Sequence, residues 1–209
     1  MKHQIAKSIL IFSFSISLWF YAYTVLAKAP TGDMSYNKTL KPKNLFKNLV
    51  ENQFQKPIKI QIPSINVSAL IEEVGIEKDG SMGVPINFAN VAWLNTSSKI
   101  GQNGNLVISG HYDYSSGAPA VFYNLNSLKI GDTINVIRSA PGKPDVIKKY
   151  VVTGKYLADP NNTDHISDAY KSTNIPTITL ITCNGIWNPI KHEYSNRVVV
   201  KGVLSKVIR

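Results

Sequence analysis

The 209-residue sequence has one cysteine, Cys183, and few acidic residues. A single thiol excludes an internal disulfide framework and any zinc or iron–sulfur site built from several cysteines. Only 13 Asp and Glu stand against 23 Lys and Arg, giving a formal charge of +10. Charged residues make up 17% and apolar residues 44%, which excludes wholesale disorder and leaves enough material for a packed core. Internal repeats and long helical patterns are also missing. The length suits one domain of ordinary size with an additional segment, and is short for two full domains.

Charge of either sign is absent from Ser8 to Ala27, after Lys2 and Lys7. Twenty residues in a helix rise roughly 30 Å, the thickness of a hydrocarbon core. Trp19, Tyr21 and Tyr23 gather at the C-terminal end of this run, where amphipathic rings favour the membrane interface. The basic start predicts residues 1–7 on the cytoplasmic side and everything after the span outside. A cleaved signal peptide is the alternative, with Val25-Leu26-Ala27 or Ala27-Lys28-Ala29 as the cleavage site. Either reading exports the remainder and leaves Cys183 on an oxidising side with no partner in its own chain.

Residues 28–57 read as an extracellular stalk, with six Lys against Asp33 and Glu51, a net +4. From residue 58 to 209 the texture changes to short β-rich runs separated by turn signals. Ile58, Ile60 and Ile62 alternate with Lys59 and Gln61, a period-two strand. Further strands are expected in 67–74, 106–108, 133–138, 149–156, 177–183 and 197–204. Helical turns are expected only at Pro119–Leu125 and Thr163–Tyr170. Closely spaced strands without long helices predict a mostly β, antiparallel barrel or sandwich. Nucleic-acid binding has only the net charge in its favour, since no reading helix or aromatic RNA-binding strand is present.

The strand Thr177-Ile178-Thr179-Leu180-Ile181-Thr182 ends on Cys183, just before Asn184-Gly185. A strand end is a rigid platform with an open side, suited to a nucleophile. A thiol needs a base or cation to stabilise its thiolate. Arg197 opens the β-run Arg197-Val198-Val199-Val200, and a hairpin between the two runs would return it to Cys183. An always-charged guanidinium there suits an oxyanion. His111 follows Leu106-Val107-Ile108-Ser109-Gly110, so it too sits at a strand end and is the candidate acid and base. His192, between Cys183 and Arg197, is its rival; His3 lies in the cytoplasmic start and His165 in a polar loop.

Taken together these segments resemble the sortases, cysteine transpeptidases of bacterial cell surfaces. Thr179-Leu180-Ile181-Thr182-Cys183 is similar to their TLxTC motif. Val107-Ile108-Ser109-Gly110-His111 resembles their strand ending in a catalytic His, and Asn196-Arg197-Val198-Val199-Val200-Lys201-Gly202 the strand carrying their catalytic Arg. The order is collinear over about residues 58–204. Asp79-Gly80-Ser81-Met82, Gly117-Ala118-Pro119-Ala120 and Leu128-Lys129-Ile130-Gly131-Asp132 look like class F and class E members, whereas Arg197-Val198-Val199-Val200 reads more like class A.

The resemblance implies a closed barrel of about eight strands, antiparallel or mixed, with short helices, preceded by the N-terminal transmembrane helix. It implies Cys183, His111 and Arg197 as catalytic residues, with Thr182 beside them as a substrate-binding residue. The reaction implied is cleavage of an LPxTG-like sorting signal between Thr and Gly through a thioacyl enzyme. The acyl group then passes to an amine of a peptidoglycan precursor or a pilin lysine. No cofactor is implied, and no acidic cluster supports the calcium site of some class A members. Two other readings compete. An L,D-transpeptidase would need Ser-x-Gly before its cysteine, where this chain has Leu180-Ile181-Thr182. A non-enzymatic surface-binding module would make Cys183 a structural residue.

Overall fold

A computed structural model describes residues 56–140 and 143–205. The expected cytoplasmic start and membrane anchor, and all of the stalk but Lys56 and Pro57, lie outside the described residues. No helix among the described residues is long and apolar enough to cross a membrane.

Eight strands form a closed barrel: β1 (Lys59–Ile62), β2 (Val67–Val74), β3 (Val91–Leu94), β4 (Gly104–Gly110), β5 (Thr133–Ala140), β6 (Lys143–Ala158), β7 (Pro176–Asn188) and β8 (Glu193–Leu204). The order round the barrel is β1-β2-β3-β4-β7-β8-β6-β5, closed by the β5–β1 pair. Pairing is antiparallel except for β2 with β3 and β4 with β7. The barrel is therefore the form taken, and a sandwich is excluded. β3 escapes a periodicity reading for a physical reason: all four of its residues are buried, so it shows no alternation.

The strands that do alternate send one set of side chains inward. Ile60, Ile62, Trp93, Leu106, Ile108 and Tyr150 belong to a continuous core inside the barrel, with Ile178, Leu180, Val198 and Val200 facing them from β7 and β8. A smaller apolar cluster lies on the other face of the sheet, where Val107, Ile181 and Val199 meet Ala169 of the single described α-helix, α1 (Thr163–Tyr170). Asn162 caps α1 by accepting hydrogen bonds from the Asp164 and His165 amides, its first-turn donors. A buried polar chain fixes the helix to the sheet: Thr179 Oγ1 donates to Asn105 Oδ1, and Asn105 Nδ2 donates to the Ala169 carbonyl.

The expected helical turn over 119–125 is instead a run of tight turns ending in the 3-10 helix Leu125–Ser127. Its amides are already committed: Ala120 donates to the Tyr112 carbonyl and Phe122 to that of His111. Those bonds hold the segment after β4 in place.

Candidate active site

β4 and β7 run parallel, so their C-terminal ends lie side by side. The last paired residues are Ser109 and Ile181. Two positions further along each strand come His111 and Cys183. Between them, Thr182 Oγ1 donates to the Gly110 carbonyl at 2.8 Å, and Thr182 is buried to 3% exposure. Its hydroxyl is thus spent on joining the two strand ends rather than turned toward the surface. Gly110 is required here by a close approach: a Cβ would stand 2.6 Å from the Phe122 ring.

Period-two alternation decides which way the site faces. Val107, Ile181 and Val199 point to the outer cluster. Cys183 and Arg197 are two residues from Ile181 and Val199 on the same strands, and so share the outer face of the barrel, while His111 follows β4 directly and lines one cleft with Cys183. Cys183 is paired directly with Arg197 across the antiparallel β7–β8 ladder. The loop of this hairpin is short, because both strands continue past the barrel with a bulge between Asn184 and Trp187, leaving only four residues, 189–192, between them.

Cys183 is half-buried. Burial pushes its thiol up from the ordinary value; the Arg197 charge pulls it back down, and Asp113 adds to the rise. Arg197 is anchored through Nη1, which donates to the Tyr194 carbonyl at 2.9 Å and the Asn196 carbonyl at 3.0 Å. Both acceptors are neutral, so the full positive charge of the guanidinium is kept beside the sulfur.

His111 is held by a different segment. Its Nε2 lies 2.9 Å from the Pro85 carbonyl. A carbonyl only accepts, so this bond assigns a hydrogen to Nε2 and, in the neutral ring, the lone pair to Nδ1. Phe88 stacks on the imidazole, with centroids 4.0 Å apart, and Tyr114 stacks on Phe88 in turn. Glu72 of β2 organises this segment by accepting from the Ile86 amide at 2.7 Å, the Asn87 amide at 3.2 Å and Asn90 Nδ2 at 2.8 Å. Partial burial pushes the Glu72 carboxyl up, but the bonds from Asn90, Ile86 and Asn87, with the nearby His111, leave it below its ordinary value.

His111 and Cys183 open into one cleft of about 470 Å³. Its walls are largely aromatic, with Tyr112 and Tyr114 from the segment after β4 and Trp187 and Tyr194 from the hairpin. Tyr194 hydroxyl donates to Asp113 Oδ2, closing one side. That bond, with some burial, pushes the Tyr194 hydroxyl up to about 12. Arg197 neighbours Cys183 on the ladder and is not among the residues that line the cleft.

A family profile described as a sortase domain matches residues 60–205. The chain belongs to the sortase family. Sortases are cysteine transpeptidases of the bacterial cell surface that join sorting signals of surface proteins to amine acceptors, and this chain is such an enzyme. Solved structures give the same fold at low identity. Sortase C-1 from Actinomyces oris shares 24% identity over 82% of this chain and 86% of that one, with a TM-score of 0.53. Listeria monocytogenes sortase A shares 21% over 73% and 89%, with a TM-score of 0.51. A Clostridium perfringens sortase D5 transpeptidase shares 22% over 80% and 90%, with a TM-score of 0.50. These neighbours carry three different class letters, so the likeness singles out no class. No curated protein matches the chain in sequence.

Neither His165 nor His192 of this sortase is among the residues that line the cleft with Cys183. His192 adopts a positive φ at the hairpin tip, with its ring edge-on to Trp187. His165 is engaged through Nδ1 with the Asp159 amide, and His3 lies outside the described residues. Among the described residues, no group of three His, Cys, Asp or Glu is placed to hold a metal ion. Sequence reasoning missed Glu72, Phe88, Asp113 and Tyr194. Glu72 and Phe88 reach His111 through loop geometry that leaves no periodic trace. Tyr194 stands opposite Trp187 only because the bulge shifts the register: without it the ladder would set Tyr194 opposite Ile186.

Proposed function

We propose that this sortase cleaves an LPxTG-like signal between Thr and Gly, with Cys183 as nucleophile, His111 as acid and base, and Arg197 as the charge that stabilises the oxyanion. The observation that carries the reading is the convergence of the three at one strand-end corner: Cys183 opposite Arg197 on the ladder, and His111, just past the end of the neighbouring parallel strand, in the same cleft as Cys183.

In the resting enzyme the thiol is neutral, because burial outweighs the pull of Arg197. Proton transfer from the thiol to His111 generates the attacking thiolate and an imidazolium. The sulfur adds to the Thr carbonyl, and Arg197 offsets the charge on the oxygen. The C–N bond to Gly then breaks as the imidazolium returns its proton to the departing amine. A thioacyl enzyme and a free glycine-side fragment result. Thr182 serves by locking the ends of β4 and β7, and so sets the spacing of nucleophile and base. Exposed Ile86, beside the His111-binding Pro85, and exposed Ile186, three residues past Cys183, offer apolar contact to the Leu and Pro of a signal. The acceptor is an amine of a peptidoglycan precursor or a pilin lysine. Residues 8–27 hold the enzyme in the membrane by a single pass, with the catalytic domain outside.

The test is incubation of the full-length chain with an LPxTG peptide library and amine acceptors, comparing it with Cys183→Ala. Wild type releases the glycine-side fragment and forms a hydroxylamine-sensitive adduct on Cys183, and the variant does neither. Cleavage that survives the substitution, or no cleavage of any peptide, overturns the reading.

A further inference from the structure

The cleft carries one carboxylate, and the catalytic roles above do not use it. Asp113 follows His111 by two residues and lines the same cavity as Cys183. Three aromatic rings line the cleft with it, Tyr194 packing against both of the others: Tyr112 and Tyr194 are 5.6 Å apart between centroids, and Trp187 and Tyr194 5.2 Å. Tyr194 hydroxyl bonds to Oδ2, while Oδ1 accepts no hydrogen bond among the described residues. Asp113 joins none of the ion pairs Lys56–Glu73, Lys191–Glu193 and Lys201–Asp168. A chain with a formal charge of +10 thus presents an unneutralised negative charge inside its cleft.

Such a charge works against the sulfur, since it opposes formation of the thiolate next to it. A cation seated at Asp113 would remove that opposition. A carboxylate flanked by aromatic faces is also the chemistry that holds an organic ammonium, by a charge-assisted hydrogen bond and by attraction to the ring faces. We propose that Asp113, with Tyr112, Tyr194 and Trp187, forms the subsite for the acceptor amine, bound as its primary ammonium. The inference rests on the transpeptidase reading and specifies where the second substrate enters.

In the transfer step the ammonium bound at Asp113 gives one proton to His111 and becomes the neutral amine. Its nitrogen attacks the thioester carbonyl, the C–N bond forms and the C–S bond breaks. The second proton leaves the nitrogen with the departing sulfur, regenerating the thiol, and the imidazolium then loses its proton to solvent. Charge and atoms balance: one ammonium, one thioester and one neutral imidazole become one amide, one thiol and one imidazolium. Asp113 holds the acceptor within reach of His111 and does not itself exchange protons.

Two measurements on the full-length chain decide this. In the first, Cys183→Ala protein is titrated with Nα-acetyl-lysine amide and with its Nε-acetylated form, following the Tyr112 and Asp113 amide resonances. The ammonium form binds and the acetylated form does not. Adding Asp113→Asn weakens binding about tenfold or more, the size of one lost hydrogen bond to a charged group. Equal binding of both ligands, or unchanged binding in the double variant, overturns the proposal, and this arm needs no cleavable peptide. In the second, thioacyl enzyme formed from an LPxTG peptide is partitioned between Nα-acetyl-lysine amide and hydroxylamine, which is uncharged at neutral pH. The ratio cancels any effect on acylation. Asp113→Asn lowers the ammonium share about tenfold, and Asp113→Glu recovers part of it. An unchanged ratio in Asp113→Asn overturns the subsite, whereas a wild type that cleaves nothing overturns the proposed function and leaves the binding arm to decide the subsite.

Discussion

Cys183 sits between two opposing charges, and its reactivity records the balance. Burial raises the thiol, Arg197 lowers it and Asp113 raises it again. A raised value means that the thiolate fraction is small at neutral pH and grows as pH passes above the ordinary thiol range. Alkylation of wild-type protein by iodoacetamide is therefore slow at pH 7, with a midpoint above that of a free cysteine. Arg197→Gln removes the lowering influence and moves the midpoint further up, while Asp113→Asn moves it down. Fast alkylation at pH 6, or no separation between the two variants, contradicts this balance. Thr182 carries a second prediction at the same scale. Thr182→Val keeps the shape but leaves the buried Gly110 carbonyl without its donor, which costs about 1–3 kcal/mol. The cost is measurable by urea denaturation. Turnover falls with it as the strand ends loosen, and Thr182→Ser restores much of both.

At the scale of elements, the site is a junction of three segments: the end of β4, the β7–β8 hairpin and the loop 84–90. The loop takes its shape from Glu72, which gathers two backbone amides and one side-chain amide. Glu72→Ala is expected to leave the barrel intact, to speed amide exchange at Ile86 and Asn87, and to lower kcat with less change in KM. His111 then loses the fixed position of the Pro85 carbonyl and of Phe88. Unchanged exchange at those amides would separate Glu72 from the positioning of His111. The same elements show how far a sequence carries. The ends of β4 and β7 are legible because alternating β-branched residues stop at Gly110 and at Cys183-Asn184-Gly185. The hairpin is legible as an event but not in its register, since a bulge between Asn184 and Trp187 is a one-residue choice that no local pattern fixes. The loop held by Glu72 is not legible, because its bonds span 14 to 18 residues with no repeating period.

At the scale of the molecule, closure makes the site depend on the entire ring of strands. Trp93 of β3 is 2% exposed and packs in the core that β7 and β8 share. Trp93→Ala is expected to destabilise the domain by about 3–5 kcal/mol, through lost burial and the cavity left behind. Cys183 alkylation should rise in the same denaturant range as loss of the β signal. Early exposure of the thiol, well before global unfolding, would show instead that the catalytic corner opens independently. A barrel rather than a sandwich could not be chosen from strand spacing, because closure rests on the long-range β1–β5 pair and on a four-residue strand with no alternation.

The hairpin that runs past the barrel has a further effect. Beyond Cys183 and Arg197, β7 and β8 pair with each other, and their outer edges lack the partners that β4 and β6 provide below. Ile186 of β7 stands there at 79% exposure, and Ile190 in the turn between the two strands at 89%. An unpaired strand edge with apolar side chains is a template for another chain. On a surface crowded with identical copies, such an edge would favour self-association through the hairpin that also carries Trp187 and Tyr194 of the cleft. Crowding would then lower activity by obstructing access to the cleft while the barrel stays folded.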